Sequence, residues 1–408
     1  MSKASNTSSA LSADHIFFKK HVVMIIPTYK PGKTTLDLLD TLSLHYPTVK
    51  VVVINDCIPK QSKEHEIFTQ IESRAAKSAQ ITCLRTTQNS HKSGALNLGI
   101  DHVLSWKHTP DVILTCDDDI GINQHTLPQM VETLFSKNDI GAVCSRSLVK
   151  NKHKNILTRL QGLEYFGFTI TKIADNNFLH GPLVMQGMLT AFRSETLAKV
   201  NGFTLHHLIE DYDITARVKR AGWKVAIAKD AQAWTDVPEN LASLWKQRVR
   251  WGYWGIIVVK EHIGFLPAIL QDLIGHTTFT TLLSLIIISL VFYQPESMQS
   301  VWVQVIVFLS LLQFLFSYVF GLVTMFFYED RDRKDWILRL TILPELLYSN
   351  VITIVLLGCY FYLLYNVAVR YLIRPFTVLH KPYQAGLKGF ARVGYVEHWG
   401  TRTQKGDL

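Results

Sequence analysis

Short apolar runs without a 3.6-residue repeat punctuate the first third of the chain, separated by polar stretches. Val22 to Ile26, Val49 to Ile54, Ile81 to Leu84 and Val112 to Cys116 are the clearest. Their length and β-branched content predict strands covered on both faces. Between them lie a helix opening in PTYKPGKTT and running to about Leu44, a polar helical stretch, and the amphipathic HKSGALNLGIDHVL. Strands and helices alternating in this way predict an α/β fold with a doubly wound, mostly parallel central sheet. No GxGxxG follows any strand, so a dinucleotide fingerprint is absent.

From Gly141 to Phe192 the pattern is less regular. A helix is expected near Thr158 to Ile173, followed by HGPLVMQGMLTAFR, whose glycines let backbone approach a ligand closely. HHLIEDYDITARVKRAGW then predicts an amphipathic helix that opens in Glu210, Asp211 and Asp213 and ends at Gly222. LWKQRVRWGYW, residues 244–254, predicts another helix, dense in Arg and Trp. Residues 255–271 are expected to form an interfacial helix segment.

Beyond these the chain changes character. Leu273 to Phe292, Val301 to Phe327 and Leu343 to Val369 each reach the roughly 20 residues that cross a bilayer. The organisation expected is therefore a flexible tail over 1–19, a soluble domain over 20–254, the interfacial segment, a membrane region over 272–374 and a basic tail over 375–408. QPESMQS between the first two stretches has no Lys or Arg and reads as the outer side. EDRDRKDWILR between the last two carries several cations and reads as the inner side, which places the soluble domain inside. Three crossings would put the tail outside, yet it carries several Lys and Arg. The charge rule favours an even number, with one stretch interfacial, re-entrant or split at Pro344.

Composition adds constraints. The mean hydropathy is +0.13 and the net charge +9, a positive bias typical of the inner side of membrane proteins. No nucleic-acid-binding signature accompanies that charge, so no nucleic-acid partner is expected. The five cysteines have no close spacing and read as free thiols in a reducing compartment. The first fifteen residues are polar, Ser-rich and without an apolar core, which argues against a signal peptide.

The chemistry concentrates where the fourth strand ends in Asp117, Asp118 and Asp119. Adjacent carboxylates repel, so they form either a solvated acidic turn or a site for a divalent cation carrying a diphosphate. Ligands in open α/β sheets sit at the carboxyl ends of strands. Asp56, ending the second strand, is either a turn residue or a reader of a uracil ring or ribose hydroxyl. Lys92 opens a helix and either meets phosphate or lies in solvent. Glu210, Asp211 and Asp213 are either first-turn acids that favour the helix dipole or include a general base. Trp245, Trp251 and Trp254 with Arg248 and Arg250 suit a membrane surface, or a sugar diphosphate gripped by Arg with a pyranose stacked on Trp.

Together these residues resemble the processive family 2 glycosyltransferases: hyaluronan, cellulose, chitin and poly-N-acetylglucosamine synthases. The resemblance covers about residues 20–260. IPTYKPG is similar to the family's opening strand and loop, Asp56 in VINDC to its first Asp, and HKSGALN with Lys92 to K-x-x-A-L-N. DDD is similar to D-x-D, IEDYD to T-E-D and QRVRW to Q-x-x-R-W. GMLTAFR and LWKQRVRW look closest to poly-N-acetylglucosamine synthases, and WGTR (399–402) resembles a cytosolic segment of hyaluronan and chitin synthases. Ile209 departs from the Thr of T-E-D, and Cys57 stands where Gly is usual. The segments preceding the catalytic domain in many synthases, and a cyclic-dinucleotide-binding domain, are not expected here.

The resemblance implies a GT-A-type nucleotide-sugar-binding domain followed by C-terminal transmembrane helices. It implies an inverting glycosyltransferase in the inner membrane with a cytoplasmic catalytic domain. Asp56, Lys92, Asp117, Asp119, Gln247 and Arg250 would bind the UDP-sugar donor, with Asp117 and Asp119 on Mg²⁺ or Mn²⁺. Asp211 would be the catalytic base, and Glu210 and Trp251 would meet the acceptor. N-acetylglucosamine is the favoured donor and a growing β-linked polysaccharide the favoured acceptor. The alternatives are transfer of one sugar to a lipid-linked acceptor and a non-catalytic UDP-sugar-binding partner. The lipid bilayer and an export or accessory subunit complete the expected partners.

Overall fold

A computed structural model describes residues 16–205, 207–291, 301–373 and 380–395. The expected strand–helix alternation is present: β1 (Val22–Thr28), α1 (Lys33–His45), β2 (Lys50–Asn55), α2 (Lys63–Ala75), β3 (Ile81–Arg85), α3 (His91–Leu104) and β4 (Val112–Cys116). Every residue of β1 and β4 is buried. Alternate side chains feed opposite layers, as the strand period of two requires. Val22, Met24 and Ile26 join one apolar layer with Leu38, Leu42 and Phe68. Val23 and Ile25 join the other with Leu96, Ile100 and Val103. Helix α3 lies close on the sheet because Gly99 has no side chain. A Cβ there would lie 2.6 Å from Ile25 Cγ2 and 2.7 Å from Ile54 Cδ1.

The second half departs from simple alternation. After β5 (Gly121–Ile122) and α4 (Thr126–Phe135) come β6 (Ile140–Val149), α5 (Ile156–Asp175), β7 (Leu189–Arg193), α6 (Ser194–Val200), α7 (Glu210–Arg220) and β8 (Lys224–Thr235). The eight strands lie in the order β3-β2-β1-β4-β7-β6-β8-β5. β7 is antiparallel to both β4 and β6, so it reverses direction in mid-sheet. That reversal brings the loop preceding β7 beside the carboxyl end of β4, where Asp117 N donates to the Met188 carbonyl at 2.9 Å.

Helix α8 (Leu241–Glu261) runs through residue 254 without a break. The expected division there falls inside a helix, because GIIVVKE continues its apolar face. A 3-10 turn at Leu266–Ala268 leads to α9 (Leu270–Val291), followed by α10 (Val301–Phe327), α11 (Arg333–Thr341), α12 (Leu343–Ile373) and α13 (His380–Arg392). Among the described residues two helices are long and apolar enough to cross a bilayer, over Val307–Phe327 and Leu343–Val367. The other expected stretch lies in α9, where Gln271, Asp272, His276 and four threonines dilute the apolar run. QPESMQS, WGTR and most of the N-terminal tail lie outside the described residues.

The polar connection between α10 and α12 is anchored on the soluble domain. Arg159 on α5 pairs with Asp332 at 2.7 Å and Asp335 at 2.9 Å, and Lys152 pairs with Asp335 at 2.8 Å and Asp330 at 3.2 Å. Arg146 on β6 reaches Glu329 at 3.2 Å. Asp335 is fully buried and is kept there by two cations and by its place in the capping box of α11.

Candidate active site

Lys92, the second residue of α3, is the hub. Its Nζ lies 2.5 Å from Asp117 Oδ1, 2.7 Å from Glu210 Oε1 and 3.1 Å from the Gly187 carbonyl, to which it donates. One ammonium therefore joins the end of β4, the loop before β7 and the first turn of α7. Burial raises the Asp117 carboxyl against the opposing pull of Lys92. Burial acts on Glu210 in the same direction, but there Lys92 and the hydrogen bonds outweigh it and hold the carboxyl low.

Asp211 lies beside this hub. Its Oδ2 accepts from the Gly187 amide at 3.1 Å and its Oδ1 from its neighbour Tyr212 N at 2.9 Å. Burial, reinforced by Glu210, pushes Asp211 up to about 6. Gly187 is required by crowding: a Cβ there would meet Asp211 Cβ at 3.0 Å and Glu210 Oε1 at 3.2 Å. Lys92, Gly187, Glu210 and Asp211 border a small pocket with Thr115 and Met185.

The three adjacent aspartates diverge. Asp118 turns back to β1, where Thr28 Oγ1 donates to its Oδ2, and burial pushes it up to about 7. Asp119 is raised by burial and then by the Asp117 charge. The cluster thus carries more negative charge than its local cations neutralise, a donor set of hard oxygens suited to a divalent cation.

Asp56 is buried at the end of β2. Its Oδ1 accepts from Ser90 N at 2.7 Å, Ser90 Oγ at 2.9 Å and Thr86 Oγ1 at 3.1 Å. These bonds fix the turn that launches α3 and so position Lys92. Cys57 beside it has φ +60°, left-handed backbone that suits the glycine usual in the resembling synthases.

Of the sequence-predicted α8 residues, Arg250 is the one whose charge acts on the site carboxylates. Arg250 carries its charge close enough to lower both Asp117 and Glu210. Gln247 Oε1 is buried and finds no partner among the described residues. Trp251 is half-buried and packs against Val149, Tyr165 and Val237.

Residues 20–253 match the family model described as Glycosyltransferase like family 2. The chain belongs to glycosyltransferase family 2. Its sheet, with the acidic end of β4, is the GT-A-like domain expected from the motifs. The chain is 26% identical over 236 residues to a poly-beta-1,6-N-acetyl-D-glucosamine synthase of Staphylococcus aureus strain COL, covering 57% of this chain and 54% of that protein. The synthase of the same description from Staphylococcus epidermidis is 27% identical over the same length. The chain spans about half the length of these curated relatives. A solved neighbour is the mannosyltransferase PcManGT from Pyrobaculum calidifontis in complex with GDP-Man and Mn²⁺. It has 16% identity and a TM-score of 0.47, covering 63% of this chain and 73% of that one.

Within this family 2 domain the two arginines of QRVRW part company. Arg248 is buried and is taken up by partners outside the Lys92 hub. It grips Glu164 on α5 through two bonds of 3.0 and 2.5 Å and donates to Tyr348 of α12 at 3.1 Å. Its guanidinium also lies 4.4 Å from the Trp251 ring centre. The cluster of Arg and Trp read from the sequence is therefore divided between the site and a clamp onto an apolar helix. Glu164 and Tyr348 were not legible as partners, since 100 or more residues separate Tyr348 from each. Removing one partner should cost more than removing both. Glu164→Ala, which strands a buried cation, should lower stability by about 3 kcal/mol. Glu164→Ala combined with Arg248→Met should recover most of that in thermal unfolding in detergent. Equal loss in the single and double variants would deny the clamp.

Proposed function

We propose that this chain is a membrane-bound, inverting glycosyltransferase that moves a sugar from a UDP-sugar to a growing β-linked glycan, with N-acetylglucosamine as the donor sugar. The observation that carries the reading is the Lys92 hub, which holds the diphosphate-end aspartate Asp117 and the helix of Asp211 on one cation. Asp117 and Asp119 would hold Mg²⁺ or Mn²⁺, which supplies Lewis-acid neutralisation of the departing diphosphate. Lys92 and Arg250 add positive charge on the same side. Asp211 takes the proton as the acceptor oxygen attacks the anomeric carbon and the bond to UDP breaks. Its raised basicity suits that transfer. One displacement inverts the centre, so an α-linked donor yields a β-linked product. Trp251 floors the acceptor site, with Glu210 lining it, and Asp56 binds the nucleotide.

The test is UDP release by purified protein in detergent with Mn²⁺ across a panel of UDP-sugars, followed by product sizing. Release with UDP-N-acetylglucosamine and a long product is expected. A product one sugar longer would point to a lipid-linked acceptor. UDP binding without turnover of any donor would point to a non-catalytic partner.

The same reading places the catalytic domain in the cytoplasm and returns the chain to that side after each apolar excursion. Supporting this are the anchored segment between α10 and α12 and the course of α13. Tyr383 stacks on Tyr365, Phe390 meets Tyr362, and Tyr395 donates to the Val355 carbonyl at 3.2 Å, so α13 runs back along α12. Trp245 of α8 then donates to the Val393 carbonyl at 2.8 Å. On this reading the number of crossings is even, in keeping with the basic tail. A cysteine at the exposed Lys388 should behave like the exposed native Cys57, both reacting with an impermeant maleimide only after cells are permeabilised. Labelling of residue 388 in intact cells would reverse the assignment.

A further inference from the structure

A second cluster of potential metal ligands stands apart from the aspartate triplet, where α7 meets the end of α8. His207 precedes α7, Asp213 lies in its first turn, and Glu261 is the last residue of α8. One donor atom from each lies within 4.8 Å of the others. His207 Nε2 and Glu261 Oε2 are 2.9 Å apart. Tetrahedral zinc with donors about 2.0–2.2 Å away separates them by roughly 3.4 Å, so small side-chain rotations suffice to admit an ion. His207 and Asp213 are buried, whereas Glu261 is exposed and leaves a side open to water.

The surroundings resemble an outer ligand shell. His262, also buried, places Nε2 at 2.9 Å from Asp213 Oδ1, and Thr204 Oγ1 donates to Asp213 Oδ2 at 2.7 Å. Outer partners of this kind fix the orientation of a ligating carboxylate. Nδ1 of His207 and Nδ1 of His262 are both buried without a hydrogen-bond partner among the described residues. One imidazole with two carboxylates favours a zinc-class dication over Mg²⁺, which prefers an all-oxygen shell.

We propose that His207, Asp213 and Glu261 bind a transition-metal dication of the zinc class at a site distinct from Asp117 and Asp119. The ion would tie the first turn of α7, which carries Glu210 and Asp211, to the last turn of α8, whose middle carries Gln247, Arg250 and Trp251. Its role is to hold the two helices in register, and it contacts no reacting atom.

The experiment uses the full chain in detergent, stripped with chelator and equilibrated with Zn²⁺ alone. An Asp117→Asn, Asp119→Asn double variant removes the other cation site, so sugar transfer is not the readout and failure of the glycosyltransferase reading leaves the outcome interpretable. About one zinc per chain is expected by elemental analysis, with nitrogen and oxygen ligands at about 2.0–2.2 Å in the X-ray absorption spectrum. His207→Ala on that background should weaken zinc binding at least tenfold. Glu261→Gln, at an exposed position, should weaken it similarly and serves where His207→Ala does not fold. No retained zinc, zinc bound through sulfur, or zinc affinity unchanged in a folded ligand variant would each overturn the proposal.

Discussion

Asp211→Asn should leave UDP binding intact and reduce sugar transfer by about 10²–10⁴-fold, the range a positioned general base contributes. The substitution preserves shape, and the amide oxygen can still accept from the Gly187 amide as Oδ2 does now at 3.1 Å. What is lost is the capacity to take a proton, together with the Oδ1 acceptor that now meets Tyr212 N at 2.9 Å. Burial and Glu210 together raise the carboxyl to about 6, which suits the proposed proton transfer. The acid limb of the rate should therefore fall as pH drops through about 6, where Asp211 acquires its proton, and the residual activity of the variant should lack that limb. Single-turnover transfer and equilibrium UDP binding, measured on the same preparation, separate the two effects. Turnover close to wild type would remove Asp211 from its role.

The sequence carried the parts of this site that are local and hid those that depend on the sheet's reversal. Buried strands announce themselves as apolar runs, so β1, β2 and β4 and the acidic end of β4 could be read directly. LTAFR is buried over its first four residues, but nothing in five residues reveals that β7 enters antiparallel between β4 and β6. That reversal is what delivers the Gly187 backbone to Lys92 and Asp211. Lys92 alone looked like a helix-opening cation of no particular use, because Asp117 and Glu210 are far away in sequence. Asp56 was legible as a strand-end acid, whereas its grip on Ser90 was not. The extent of α8 was misjudged for a related reason. Its apolar continuation reads like a separate interfacial segment until α12 and the 3-10 turn are seen packing on either side.

Lys92→Met should loosen the fold of the site, because it strips the shared partner from two carboxylates at once. With no ammonium between them, Asp117 and Glu210 would face each other in a partly exposed site. Removing one member of a fully buried pair costs about 3–5 kcal/mol; here the side chains of Lys92 and Asp117 remain 31% and 33% exposed, so about 2 kcal/mol is expected. The sign of the pH dependence is diagnostic. In the native protein Lys92 holds Glu210 below its ordinary range, so that pairing stabilises the fold above the unfolded carboxylate range and is lost as pH falls. In the variant both carboxyls are raised, so acid relieves their repulsion. The unfolding midpoint of Lys92→Met should lie furthest below wild type near neutral pH and converge on it toward about pH 4. Transfer should fall in parallel at neutral pH, since α7 loses its tether to β4 and, on the proposed reading, the diphosphate loses a cation. A stability deficit that widens in acid, or no deficit at all, would mean that the hub is not what holds α3, β4 and α7 together.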